Sequence, residues 1–372
     1  MANTRAALVR MAPIMLVSFG LVMLLLATRS FVGSSGFGYD YEAYDGASRR
    51  IAAGQALYPP GTAEAYNSGS YAGLYLYPPP PAVALVPLVS VRDADAAAMA
   101  WLWLRLAALA IGIAILPISA MARGATFLAA SISFPVWYDL NLGNTSVLLV
   151  ALSAAIWRFQ GRVAGSVALA VAGVLRYPFG IVLVGWAAAR RWRAVGVAIL
   201  AGLVISAATL PIVGINAWLD YLALLLGLGD VSSGPHNLSL ATTAQGLGIP
   251  GPSAVYVGLG IAIAVGATVF AAVRRDATTS IVVSLAATIL FFPFFHPHYL
   301  VQLLIPAAFL AGRGQWWGLV LPILGWLPGE WLPLVAVAGT LLPLVPTGFL
   351  AVRRAGEPVG AAAEFGTGPT RP

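Results

Sequence analysis

Few side chains in this sequence can carry out acid–base or anion chemistry, so their positions carry weight. Only 9% of the 372 residues are charged, and only three are histidine: His236, His296 and His298. Asp40, Glu42 and Asp45 follow the first apolar run, Asp139 stands near Asn141 and Asn144, Arg176 interrupts an apolar stretch, and Asn237 follows His236. A carboxylate at a lipid boundary is pushed up in pKa by desolvation, which makes it a better base. An arginine presents a forked set of donors to an oxyanion. Ionisable groups at membrane depth are costly and are therefore functional candidates. The chain has no cysteine, which excludes a disulfide framework, a thiolate metal site and a thiol nucleophile. Asp40-Tyr-Glu42 is one acidic pair without further ligands, thin for Mg²⁺ or Mn²⁺; neither a metal nor a cofactor is expected.

The elements that position these residues must dissolve in lipid. Hydrophobic residues make up 60% of the chain and the mean hydropathy is +0.87, far from a soluble composition with about a quarter of its residues charged. All 20 basic residues are arginine, and the net charge is +7. They are scattered singly and in pairs between apolar runs, so they report orientation rather than a nucleic-acid surface. A span needs about 20 apolar residues. Met11 to Thr28 is one run, read as a retained helix rather than a cleaved signal. Others lie near 97–122, 124–138, 144–157, 194–214, 252–273, 278–294, 298–312, 315–328 and 331–352.

Segment 163–189 has basic flanks at both ends, Arg158/Arg162 and Arg190/Arg191/Arg193, and is broken at Arg176-Tyr-Pro178. One crossing cannot return to the side it left. The segment therefore reads as two short helices that dip in and turn back, tolerated at membrane depth where they line a polar cavity. With the N-terminus in the cytoplasm, every inward turn then holds arginine. All three histidines, Asp40, Asp139, Asn144, Asn237 and the Arg176 break fall outward. The expectation is an all-α polytopic membrane protein of about 12 helical segments, including the short re-entrant pair. It has one transmembrane catalytic domain, 1–354, with an extracytoplasmic loop at 31–95 and a flexible cytoplasmic tail at 355–372.

Within that loop, 42–57 reads as a short amphipathic helix at the interface, with Arg49 and Arg50 on its polar side. Tyrosines 39, 41, 44, 58, 66, 71, 75 and 77 form either an interfacial aromatic belt or a platform for sugar rings. Prolines 78–81 end the loop.

Several motifs occur in a telling order: Asp40-Tyr-Glu-Ala-Tyr44, Gly54 to Tyr58, Tyr75-Leu-Tyr-Pro-Pro79, Asn141-Leu-Gly-Asn144-Thr-Ser, Arg176-Tyr-Pro178 before a basic turn, Asn237-Leu-Ser239 and His296-Pro-His298-Tyr. Over about residues 10–350 this pattern resembles glycosyltransferase family 87. The resemblance implies the glycosyltransferase C-class membrane fold. It also implies metal-independent transfer of mannose from polyprenyl-phosphate-mannose to a lipid-linked glycan, such as a phosphatidylinositol mannoside or lipomannan. It assigns the catalytic acid/base to Asp40 and the active histidine to His298. Two departures stand out. Pro297 separates His296 from His298, where the family usually has adjacent histidines, and Arg176 occupies a position where lysine is common.

Glycosyl transfer from a lipid phosphate requires an acceptor hydroxyl to lose a proton, a departing phosphate to be stabilised, and a sugar to be held as it gains oxocarbenium character. On this resemblance Asp40 is the base of one inverting displacement, or orients a histidine that is. Arg176 holds the donor phosphate with His298 or His296 assisting, and Tyr44, Tyr77, Asn144 and Asn237 contact substrate. The partners would be a polyprenyl-phosphate-mannose donor, a glycolipid or lipoglycan acceptor and the bilayer, with the site facing the exterior of a bacterial plasma membrane.

Plainer roles compete. On these, Asp40 only marks a solvated helix boundary, Arg176 snorkels, the histidines cap a helix end, and Asn141 and Asn144 cap the helix beginning near Thr145. Arg105 either reaches the cavity or pairs with an acid, Asp139 being close enough. A secondary transporter or lipid-linked-sugar flippase also uses broken helices. The sequence, however, shows no second broken segment in a matching half and gathers its polar residues on one side. A purely structural subunit leaves the polar cluster unexplained.

Overall fold

The computed structural model describes residues 2–34, 36–90, 93–228, 237–291 and 295–346. His236 and the expected tail 355–372 lie outside the described residues. Among the described residues there is no strand. Lipid offers the backbone no hydrogen-bond partners, so helices that bond internally are the solution.

The chain opens with α1 (Ala2–Phe31), then α2 (Tyr39–Ala52), α3 (Thr62–Asn67) and α4 (Pro79–Leu85). Next come α5 (Ala94–Ile115), α6 (Ala120–Ser131), α7 (Phe134–Leu142), α8 (Ser146–Arg158), α9 (Val163–Leu175) and α10 (Gly180–Ala188). The last group is α11 (Trp192–Gly227), α12 (Leu240–Gly246), α13 (Ser253–Arg274), α14 (Ala277–Ala287), α15 (Leu304–Gly312) and α16 (Leu332–Leu341). Among the described residues, four helices are long and apolar enough to cross a membrane, and a fifth if α7 and α8, bent by 119°, count as one. The chain is thus a multi-pass membrane protein. The other apolar helices are shorter, at 10–17 residues.

Several boundaries differ from the sequence reading. The run 97–122 is divided between α5 and α6 at Leu116-Pro117, where proline cannot continue a helix. The run 315–328 is not one helix; it forms 3-10 turns at Trp316–Val320 and Ile323–Trp326, separated by Pro322.

The core sits between the shorter helices. The residues of α14 and α15 are buried almost throughout, as expected for helices apolar on every side. The long helices α1, α11 and α13 instead turn Phe19, Leu203 and Leu259 outward, towards lipid. Close packing of α1 on α6 requires glycine: a Cβ on Gly20 would lie 2.8 Å from Ser131 Oγ, and one on Gly124 3.0 Å from the Pro13 carbonyl. Small residues at such crossings let backbones approach.

One end of the bundle collects arginine turns. Arg313 pairs with Asp276 at 3.1 Å, Arg275 donates to the Leu344 carbonyl, and Gln160 donates to Thr278. From there α9 leads to Arg176. The α10 helix then runs back along α14, with Gly185 packed so closely on Ser284 that a Cβ would lie 2.6 Å from its Oγ. Segment 163–189 therefore leaves and re-approaches the same end, broken at Arg176.

Candidate functional site

The first turn of α2 carries Asp40. The helix begins at Tyr39, earlier than the expected 42, because Gly38 adopts φ 79°, a left-handed conformation that suits glycine. The Gly38 N–H donates to the Asn141 carbonyl at 2.8 Å. The apolar face of α2 buries Tyr41, Tyr44 and Ala47, and Ser48 Oγ donates to the Ala82 carbonyl, fastening α2 to α4. Glu42, two residues from Asp40, is exposed; positions i and i+2 of a helix do not share a face. The acidic pair is therefore split. Among the described residues no three His, Asp or Glu side chains gather as metal ligands.

The turn after the tyrosine-rich loop is pinned by two of its own tyrosines. Tyr58 donates to the Tyr77 carbonyl and Tyr75 to the Pro78 carbonyl, both at 2.6 Å. This presents the Tyr77 ring to the cavity. Tyr44 does not line the cavity; it lies fully buried behind the wall, 4.8 Å from Tyr77 ring to ring. The tyrosines divide accordingly: 39, 66, 71 and 77 line the cavity, whereas 41, 44, 58 and 75 are buried in packing.

Asn144 is the centre of the polar network. It sits at the bend between α7 and α8, and its Nδ2 donates to Asp40 Oδ2 at 2.7 Å and to Tyr77 Oη at 3.2 Å. Its Oδ1 accepts from Arg176 at 2.6 Å and from the Thr145 N–H at 2.6 Å. The cap of α8 is chiefly another residue: Asp139 accepts from the Ser146 N–H at 3.0 Å and the Val147 N–H at 3.4 Å. Arg105 lies 3.8 Å from Asp139 and is equally buried, which settles the choice left open for it in favour of pairing.

Arg176 is buried at the break between α9 and α10, with its guanidinium 3.9 Å over the Tyr299 ring. Its Nε–H has no partner, so donors remain beyond the one used on Asn144. His298 is buried and neither ring nitrogen has a partner. Its ring stacks on His296 at 5.5 Å and meets Tyr299 edge-on at 4.5 Å. The intervening Pro297 does not separate the two rings; it starts a 3-10 turn that aligns them. Asn237 supports this turn: its Oδ1 accepts from the Phe295 N–H at 2.8 Å.

These residues surround one cavity of about 470 Å³. Asp40, Tyr77, Asn144, Arg176, Asn237, His296 and His298 all line it. Burial pushes the Asp40 carboxyl up to about 6, against the Asn144 hydrogen bond and the Arg176 charge, which favour the ionised form. The cavity thus joins a carboxylate able to accept a proton near neutrality with an arginine suited to a phosphate. Tyr299, which closes the His296-Pro-His298-Tyr motif, also lines it, as do Tyr138 and Tyr221, which were not singled out from the sequence. Tyr138 adjoins Asp139, a signal that could have found it. Tyr221 has none; it comes from α11, beyond the kink at Gly214, φ 72°.

The bend at Asn144 is a second broken apolar segment. It lies with the Arg176 break in the first half of the chain, so it does not supply the matching-half partner of a transporter repeat. The comparison with protein families gives the class. Fold and site define a multi-pass membrane protein whose cavity, between helix breaks, is lined by a carboxylate, an arginine and two histidines. The model of glycosyltransferase family 87 matches residues 75–297, more than half the chain, and the chain belongs to that family. No curated protein and no solved structure matches it. The matched stretch holds Tyr77, Asn144, Arg176, Asn237 and His296; Asp40, Tyr44 and His298 lie outside it and join the others only through the fold.

Proposed function

We propose that this glycosyltransferase moves a mannosyl or related residue from a polyprenyl-phosphate sugar to a lipid-linked glycan, with inversion, on the extracytoplasmic side of a bacterial plasma membrane. The observation that carries this reading is the unbroken chain Asp40–Asn144–Arg176, with links of 2.7 and 2.6 Å, in the wall of one cavity. The acceptor hydroxyl gives its proton to Asp40 as its oxygen bonds to the anomeric carbon. The bond from that carbon to the phosphate oxygen breaks, and the phosphate departs against Arg176. Charge grows on the leaving group, where a fixed guanidinium is worth most. His298 and His296 flank the same space, and Tyr77 offers a ring to the sugar. Tyr44 and Asn237 serve by backing Tyr77 and the His296 turn.

Sidedness is supported by the arginine turns at the other end of the bundle, since cytoplasmic loops are enriched in arginine. The donor's prenyl chain would lie among the helices in the bilayer. The test is direct. Purified protein is incubated with radiolabelled polyprenyl-phosphate-mannose and a membrane-lipid acceptor extract. A labelled glycolipid should form and fall about 10²–10⁴-fold in Asp40→Asn, the range for loss of a general base. Equal product from the variant would remove Asp40 from the chemistry. Vectorial movement of intact donor in proteoliposomes, without product, would remove this donor and reaction.

A further inference from the structure

We infer that Trp101 and Arg105 of α5 are positioning residues: they clamp the bend between α7 and α8 and thereby set where the Asn144 side chain meets Asp40 and Arg176. Neither residue lines the cavity, and both are buried. They are four residues apart and so share one helical face, the buried stripe of α5 that also carries Ala97, Leu109 and Gly112.

A bend of 119° leaves carbonyls around the end of α7 short of helical partners; the Asp139 carbonyl accepts the Gly143 and Asn144 N–H groups. The two α5 side chains add donors to this buried turn. Trp101 Nε1 donates to the Gly143 carbonyl at 2.7 Å. Arg105 donates to the carbonyls of Asp139 at 2.8 Å, Leu140 at 3.0 Å and Asn144 at 3.4 Å. Asp139, beside Arg105, accepts the first N–H groups of α8. One clamp thus fixes both sides of the three-residue break. The opposite face of the break is fixed by α2: Gly143 has φ 84°, and a Cβ there would lie 2.7 Å from Tyr41 Cβ, while Tyr41 stacks on Trp101. Asn144 has little freedom to shift unless the clamp opens.

The test reads the hydrogen bond that the clamp sets. The Asp40 carboxyl is followed by infrared titration of the protein without substrate, its band assigned by loss in Asp40→Asn. The groups bearing on Asp40 are Asn144, Asp139, Arg176 and Arg105. Trp101→Phe alters none of their charges, and Arg105→Lys keeps the positive charge but not the fork. A carboxylate that loses a donor titrates higher. Both variants should raise the midpoint, by roughly one pH unit or tenfold in the ionisation constant where Asn144 is released. Thermal unfolding is recorded alongside. A lowered Tm with an unmoved midpoint in either folded variant would overturn the proposal. If Arg105→Lys fails to fold, the milder Trp101→Phe decides. The significance of the clamp rests on the proposed transfer reaction, but the titration needs no reaction, so each can fail separately.

Discussion

The cavity is built on two helix breaks that solve the same problem in different ways. At the α7–α8 bend, charged groups are directed at the backbone: Arg105 and Asp139 occupy its exposed carbonyls and N–H groups, and an uncharged Asn144 faces the cavity. At the α9–α10 break, Pro178 and a 3-10 turn carry the chain over, and the arginine itself lines the cavity with its Nε–H unpartnered. Ionisable residues in both places meet the same expectation that membrane-buried charge is functional, yet one set holds the backbone and the other lines the cavity. Proximity to a break does not assign a role; the atoms on which the charge is directed do.

The largest expected effect tests the first break. Asp139→Asn leaves Arg105 buried without its counter-charge, and breaking a buried pair costs about 3–5 kcal/mol; denaturation in detergent should show that loss. At the second break, Arg176→Gln should leave stability nearly unchanged but weaken donor binding by about 1.5–3 kcal/mol, the worth of hydrogen bonds to a charged group, seen in equilibrium binding of a non-transferable donor analogue. Unaltered affinity would mean that the phosphate lies elsewhere.

Asn144 joins the two breaks, and Asn144→Ala sharpens the contrast through pH. Asp40 must be ionised to accept a proton, so kcat/KM should rise with pH through about 6 in the native protein. Removal of a donor that favours the ionised form shifts that midpoint upward. The variant should therefore lose more activity at pH 6 than at pH 8, and a midpoint that moves down would contradict the assignment. The smallest effect belongs to Tyr77→Phe, which removes one hydrogen bond to Asn144 and keeps the ring. A cost of about 0.5–1.5 kcal/mol in kcat/KM is expected, against a larger loss in Tyr77→Ala if the ring itself holds the sugar.

Much of this site was legible in the sequence because charge is so scarce there. Asp40, Arg176, His296 and His298 stood out by type alone, and the basic flanks of 163–189 marked its break. The bend at 143–145 was not legible: Gly143-Asn144-Thr145 reads as an ordinary helix start, and the residues that hold it, Trp101 and Arg105, are about 40 positions earlier on another helix. Tyr44 was misplaced for a related reason. A tyrosine-rich loop does not disclose which rings turn inward, and here the 75–78 turn decides that. Coupling across distant segments is what local pattern lacks.

Convergence of remote segments on one extracytoplasmic cavity is the claim on which the rest depends. The natural chain has no cysteine, so single cysteines at Tyr39, Tyr177 and His296, all cavity-lining positions, can be labelled in intact cells with a membrane-impermeant maleimide. All three should react from outside and be protected by polyprenyl-phosphate-mannose. A position among them that reacts only from the cytoplasmic face would contradict a common cavity on that side.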